Sequence, residues 1–331
     1  MESKVSVIPG AHRRAVAILT TGGTIAGSGE QGRETGYTPG TMSARELIAT
    51  VPQLSETCEI RALEICSVNS DDITGDILLD MARTINDMAR DDDIAGFVIT
   101  HGTDTLEESA YFLNLTVKTD KPVVLTGAMR PATSLSADGA MSLYQAVCVA
   151  LDPHSRGKGV LCVFSDQVFS ARAVGKASTY QVTAISGGET GCLGVVRNDE
   201  VFYYQAPLRR HTISTEFDIS RISHLPKVDI LYFYIDADPA LVKYAADHAD
   251  GLVIAGAGAG EFSKLFIDTI GALTIPVVIS SRTGGGVITR DSLLCPTTIS
   301  AGDLSPQKAT LLLRLALASG ITDLKRVFEE Y

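Results

Sequence analysis

Ala15-Val16-Ala17-Ile18-Leu19-Thr20-Thr21-Gly22-Gly23-Thr24-Ile25-Ala26-Gly27 is the stretch on which the reading of the fold turns. Its first five residues are apolar without alternation. That pattern predicts a strand buried on both faces, as in a parallel sheet covered by helices. The run then stops in threonines and glycines, which offer hydroxyls and closely approachable backbone N–H groups. In open parallel α/β sheets, ligands bind outside the carboxyl ends of the strands.

The same grammar recurs outward along the chain. Apolar, β-branched runs at residues 96–100, 122–126, 159–164, 229–235, 251–255 and 276–280 read as further strands. Between them lie helix starts. Ser43-x-x-Glu46 and Thr105-x-x-Glu108 match a capping box. Asp238-Pro239 and Ser305-Pro306 place a capping residue before a proline, and Gly320 stops the last long helix. The fold class is α/β. The polar, weakly periodic residues 205–227 read as a linker between a larger N-terminal parallel-sheet domain, residues 1–204, and a smaller C-terminal α/β domain, residues 228–331.

Composition limits the function. At 331 residues the chain exceeds what one core usually serves, and 45% hydrophobic against 20% charged residues argues for a globular protein. Twenty-eight basic against 39 acidic residues give a net charge of -11, which argues against a nucleic-acid partner. Six cysteines without a CxxC read as buried reduced thiols, and six histidines without HExxH argue against a metal site. No apolar run approaches the roughly 18 residues of a membrane span, so no membrane partner is expected. Residues 1–14 lack the apolar segment of a secretory signal, which makes the cytoplasm the expected location.

Chemistry concentrates at three strand ends. After Gly22-Gly23-Thr24 come His101-Gly102-Thr103-Asp104-Thr105 and Gly127-Ala128-Met129-Arg130-Pro131. A threonine hydroxyl is a weak nucleophile that needs a group to take its proton. Asp104 is adjacent to Thr103 and suits a second charge better than direct abstraction. A lysine base is the other option, and spacing alone leaves Lys176 and Lys158 both open. The glycine-dense residues 27–40, carrying Tyr37, read as a mobile lid or as an ordinary surface loop. Gly256-Ala257-Gly258-Ala259-Gly260 imitates a dinucleotide fingerprint, but Glu261 stands where its third glycine belongs, so a tight strand-to-helix turn is the reading.

Thr21-Gly22-Gly23-Thr24-Ile25-Ala26, the run from Val98 to Glu108, Leu125 to Pro131, Ser136-Ala137-Asp138-Gly139 and Pro306-Gln307-Lys308-Ala309 strongly resemble the bacterial-type L-asparaginase family. The resemblance spans nearly the whole chain. It implies hydrolysis of L-asparagine to L-aspartate and ammonia, without metal or organic cofactor. Its alternatives are a glutaminase-asparaginase that also takes L-glutamine, an ammonia-supplying amidotransferase subunit, and a non-catalytic amino-acid-binding homologue. It also implies a homodimer or homotetramer with sites formed between paired subunits. Carried over by position, Thr24 matches the nucleophile and Tyr37 the lid tyrosine beside it. Thr103, Asp104 and Lys176 match the second catalytic cluster. Ser70, Asp71, Thr24, Thr103 and Asp104 match the substrate-binding positions, and backbone N–H groups near Gly23 and Thr103 are the expected oxyanion donors.

Two positions depart from the family pattern. Ala259 stands where an asparagine or serine is usual. Ser280-Ser281-Arg282 runs into Thr283-Gly284-Gly285-Gly286-Val287 without the glutamate that usually follows. Asp71, where some members have glutamine, is the residue expected to replace part of that lost charge near the substrate ammonium.

Overall fold

The computed structural model describes residues 5–8, 14–27 and 43–331. They divide into two compact units, Met1–Ser214 and Thr215–Tyr331.

The strands of the first unit are β1 (Ser6–Ile8), β2 (Ala15–Gly22), β3 (Glu59–Val68), β4 (Ile94–Thr100), β5 (Val123–Thr126), β6 (Val160–Phe164), β7 (Gln167–Ser170), β8 (Gly175–Lys176), β9 (Ile185–Ser186), β10 (Gly194–Arg197) and β11 (Glu200–Tyr203). Nine of them form one sheet in the order β1-β3-β2-β4-β5-β6-β7-β10-β11, while β8 and β9 pair as a separate ribbon. The five strands β3-β2-β4-β5-β6 are parallel, and every residue of β2 is buried.

The sheet is mixed, whereas the continuous apolar runs predict only parallel strands. β1 joins β3 antiparallel at one edge, and β7, β10 and β11 extend the other edge antiparallel. Two of these reversals, β6 to β7 and β10 to β11, are two-residue hairpins. Ser165 and Asp166 (φ 48° and 65°) turn β6 into β7, and Asn198 and Asp199 (φ 45° and 70°) turn β10 into β11. Both central residues of each loop lie in the left-handed region, as the hairpin-favouring I′ turn requires. β3 escapes a search for apolar runs because it carries Glu59, Arg61 and Glu64 and is only partly buried.

Helices α1 (Ala44–Ala49), α2 (Gln53–Thr57), α3 (Gly75–Met88), α4 (Leu106–Thr116) and α5 (Gly139–Leu151) accompany this sheet. α5 contributes Leu143, Ala146, Val147 and Val149 to a core shared with Val16, Ile18, Val98, Val124 and Leu161 of four neighbouring strands. The capping box at Ser43 and Glu46 forms in full. The one expected at Thr105 does not form. The Thr105 hydroxyl donates to the Ser70 carbonyl at 2.6 Å, so it is spent on joining two segments rather than on capping α4.

The second unit is a four-stranded parallel sheet in the order β12 (Val228–Tyr232), β13 (Gly251–Gly256), β14 (Val277–Ser281), β15 (Ile299–Ser300). Helices α6 (Ala240–Ala246), α7 (Lys264–Gly271), α8 (Pro306–Ala318) and α9 (Leu324–Glu330) complete it, around a core that includes Leu252, Ile254, Phe266 and Ile279. Ser305 caps α8 ahead of Pro306, and Gly320 (φ 67°) follows its end. The glycine loop after β13 is a tight turn, closed by the Ala257–Glu261 bridge and by the Ser281 hydroxyl donating to the Gly258 carbonyl at 2.6 Å.

Candidate active site

The carboxyl ends of β2, β3, β4 and β5 meet. A Cβ on Gly23 would lie 2.5 Å from the backbone nitrogen of Gly102 and 2.6 Å from its Cα. One on Gly102 would lie 2.7 Å from Ser70 Oγ, and one on Gly127 would lie 2.4 Å from the His101 carbonyl oxygen. Real Cβ atoms do not tolerate such distances, so glycine here is what lets the loops touch backbone to backbone. Thr24 follows Gly23, and Thr103 follows Gly102. The two hydroxyl-bearing residues therefore flank one contact, although 79 positions separate them in the chain. Thr24 opens a short 3-10 turn, Thr24–Ala26, and is largely buried, as are Thr103 and Ser70.

Lys176 arrives from β8. Its Nζ donates to Thr103 Oγ1 at 2.9 Å and to Asp104 Oδ1 at 2.5 Å. The lysine side chain is 19% exposed and the Asp104 side chain 67%, so the pair sits at the rim of the site, in reach of water. An ammonium has three donors and no lone pair, whereas a hydroxyl can accept and donate at once. Lys176 can therefore hold Thr103 Oγ1 while the Thr103 proton points elsewhere. Lys158 does not come to this place; its Nζ lies 4.8 Å from the centroid of the Tyr203 ring.

Ser70 and Asp71 form a 3-10 turn, Ser70–Asp72, just past the end of β3. Ser70 is buried against Gly102, and Asp71 is exposed. The Ser70 carbonyl accepts both the Thr105 hydroxyl and the Ile73 N–H, which ties this turn to the start of α4. Tyr37 lies outside the described residues, as do positions 28–42 of the glycine-dense segment. The Gly23 N–H does not face an oxyanion. It donates to the Val68 carbonyl at 3.3 Å, because the β2–β3 pairing continues past the register shift near Gly22.

Residue composition gave no role to His101, which is fully buried directly beneath the second cluster. Its Nδ1 lies 2.7 Å from the Gly102 carbonyl and its Nε2 lies 2.8 Å from Ser109 Oγ. A carbonyl only accepts, so Nδ1 carries the proton and Nε2 accepts from Ser109. Burial holds the imidazole below its ordinary pKa, and the hydrogen bond to Gly102 opposes that shift only in part. This neutral ring links the Gly102 peptide to α4. Its position before Gly102-Thr103 was visible in the sequence, but its burial was not. The Thr105 hydroxyl was missed for a related reason, since a threonine before a helix reads first as a cap.

Among the described residues no cluster of histidine, cysteine and acidic side chains could hold a metal ion, and no helix is long and apolar enough to cross a membrane. No disulfide joins the six cysteines, all of them among the described residues; Cys58, Cys148, Cys162 and Cys295 are buried.

Comparison with known proteins agrees with this architecture. Residues 15–209 match the model for "Asparaginase, N-terminal", and residues 227–328 match the "Glutaminase/Asparaginase C-terminal domain". The chain is 41% identical to L-asparaginase 2 of Escherichia coli, over 96% of this chain and 93% of that protein. It is 38% identical to a glutaminase-asparaginase of Pseudomonas aeruginosa, over 96% and 90%. A crystal structure of a probable cytoplasmic L-asparaginase from Campylobacter jejuni superposes with a TM-score of 0.90 at 41% identity, covering 96% of this chain and all of the other. The fold sets its polar groups at the carboxyl edge of a parallel sheet, and the matches over most of the chain make the protein a hydrolase. The chain belongs to the asparaginase family.

Proposed function

We propose that the protein hydrolyses the side-chain amide of L-asparagine, releasing L-aspartate and ammonia, through an acyl intermediate on Thr24. The observation that carries this reading is the Thr103–Lys176–Asp104 trio, set beside the Gly23–Gly102 contact that brings Thr24 to the same strand ends. Thr24 Oγ1 attacks the amide carbon and the tetrahedral oxygen is held by N–H donors near Thr103. The proton Thr24 gives up on attack passes through the Thr103 cluster to the amide nitrogen, and collapse expels that nitrogen as ammonia and leaves an ester on Thr24. Water then attacks the ester, giving one proton to Thr24 Oγ1 and the other to solvent as aspartate leaves with its carboxylate ionised. Asp71 and Asp104 supply the negative charge that an α-ammonium needs, while Ser70 and Thr103 offer hydroxyls to the α-carboxylate. Tyr37 is assigned to the lid beside Thr24 on family position.

L-Glutamine is the second substrate to test, since relatives named glutaminase-asparaginase match the chain at 38% identity. The active unit in this reading is a homodimer or homotetramer in the cytoplasm. The Campylobacter neighbour is a probable cytoplasmic L-asparaginase, whereas a Haemophilus influenzae relative 41% identical is a probable periplasmic L-asparaginase. Ammonia release from asparagine and glutamine by wild type, Thr24→Ala and Thr103→Ala tests the mechanism. Both substitutions are expected to lower kcat by at least about a thousandfold. Activity surviving both would overturn the mechanism, and an inactive wild type would leave a binding protein.

A further inference from the structure

We propose that Glu107 is a positioning residue for Lys176, acting through the lysine's backbone rather than its side chain. The proposal rests on the catalytic reading of Lys176 given above. Lys176 is separated from its partners Thr103 and Asp104 by 73 and 72 positions and sits on a two-residue strand, so its placement depends on what grips that strand. On one side β8 pairs with β9, Lys176 opposite Ile185, and the Ala177 N–H donates to the Ala184 carbonyl at 2.7 Å. On the other side, Glu107 Oε2 accepts the Lys176 N–H at 3.2 Å.

Glu107 stands in the first turn of the 11-residue helix α4, two residues after the Thr105 that precedes it and three after Asp104. A carboxylate at that end of a helix is favoured by the exposed N–H groups there, and it binds a backbone N–H more strongly than a neutral acceptor would. The segment carrying Thr103 and Asp104 therefore holds Lys176 at both ends. Two of its oxygens take Nζ and a third takes the main-chain N–H.

Gly175 adjoins the same contact. A Cβ on Gly175 would lie 2.9 Å from the same Glu107 Oε2, with no other atom closer than 4.0 Å. An alanine there would push the flexible Glu107 carboxylate away from the Lys176 N–H. Were Glu107 merely a solvated helix residue, nothing else within that distance would crowd an alanine at 175.

The test measures kcat and KM for ammonia release from asparagine, with pH profiles and thermal melts. The variants are Glu107→Ala, Glu107→Gln, Gly175→Ala, Lys176→Met and the double variant Lys176→Met with Glu107→Ala. Loosening the lysine by a fraction of an ångström in Glu107→Ala is expected to lower kcat between about tenfold and a hundredfold with KM changed less. Glu107→Gln, whose amide oxygen can still accept, restores most of the loss, and Gly175→Ala lowers kcat in the same direction. In the Lys176→Met background Glu107→Ala costs nothing more, because its effect passes through the lysine. Wild-type kcat and pH profile in Glu107→Ala, or a full further loss in the double variant, would overturn the proposal while the role of Lys176 stands. Wild-type kcat in Lys176→Met would remove that role and the proposal with it. Should Glu107→Ala fail to fold, Gly175→Ala decides, and an unchanged kcat there overturns the proposal.

Discussion

Gly23 and Gly102 touch through their backbones, and this contact between the ends of β2 and β4 sets Thr24 beside Thr103. Gly23 is doubly constrained, because its φ of 79° and ψ of -175° belong to a region that only glycine occupies readily. Gly23→Ala adds backbone strain of about 1–3 kcal/mol and a collision with Gly102. Its urea midpoint is expected to fall, and ammonia release by the remaining folded protein to fall by more than about tenfold. Gly157→Ala is the control. That residue has φ 69° with nothing within 4 Å of its Cβ position, so it should lose stability to strain alone and keep wild-type kcat.

Thr105→Val removes the hydroxyl that ties the Ser70 turn to α4 while keeping the shape of the side chain. The Ser70 carbonyl keeps the Ile73 N–H, so the stability cost stays near the low end for a lost hydrogen bond, about 0.5 kcal/mol. The KM for asparagine should rise by several-fold, because Ser70 then has one tie fewer to the strand end. A KM equal to wild type would show that the turn holds its place without this bond.

Asp71 is exposed, and its carboxylate contributes little to the folded state in isolation. Asp71→Asn should therefore leave the melting temperature within about a degree while raising KM by about tenfold or more, the mark of a lost charge on a substrate ammonium. Steady-state kinetics at low ionic strength shows the effect most clearly. An unchanged KM removes Asp71 from the substrate site.

His101 gives a pH dependence of defined sign. Its native pKa lies below the ordinary value of 6.5, because burial penalises the imidazolium. Below about pH 6.5 the unfolded chain takes up a proton here that the native protein does not. Stability is therefore lost as pH falls from 6.5 toward the lower native pKa, at up to about 1.4 kcal/mol per pH unit. His211 is shifted downward for the same reason and adds with the same sign. Denaturant melts across pH 5 to 7 should show a shallower slope in His101→Asn than in wild type. An identical slope would mean that the ring protonates in place.

Much of the fold could be read from residue patterns. The unbroken runs at Ala15–Leu19 and in β4, β5, β6, β13 and β14 mark strands buried on both faces, because a sheet covered by helices needs apolar side chains at successive positions. The antiparallel edges were hidden. β7 and β10 are four residues each and half exposed, and the hairpin residues Ser165-Asp166 carry no glycine to announce a turn. β3 was hidden by its charges, which an edge-proximal strand can leave in water.

The sequence by itself determined which residues could act, since Gly-Gly-Thr and Gly-Thr-Asp at strand ends can be read from local chemistry and from family resemblance. Spacing left Lys176 and Lys158 both open and family resemblance pointed to Lys176; the tertiary structure supplies the physical reason, because a lysine more than seventy positions from its threonine is brought there by loop and ribbon geometry. It also assigned the Thr105 hydroxyl to Ser70 instead of to a helix cap, and spent the Gly23 N–H on Val68. The reason is common to all three. A side chain's type fixes what it can donate or accept, but its partner depends on which distant backbone the fold brings within 3 Å.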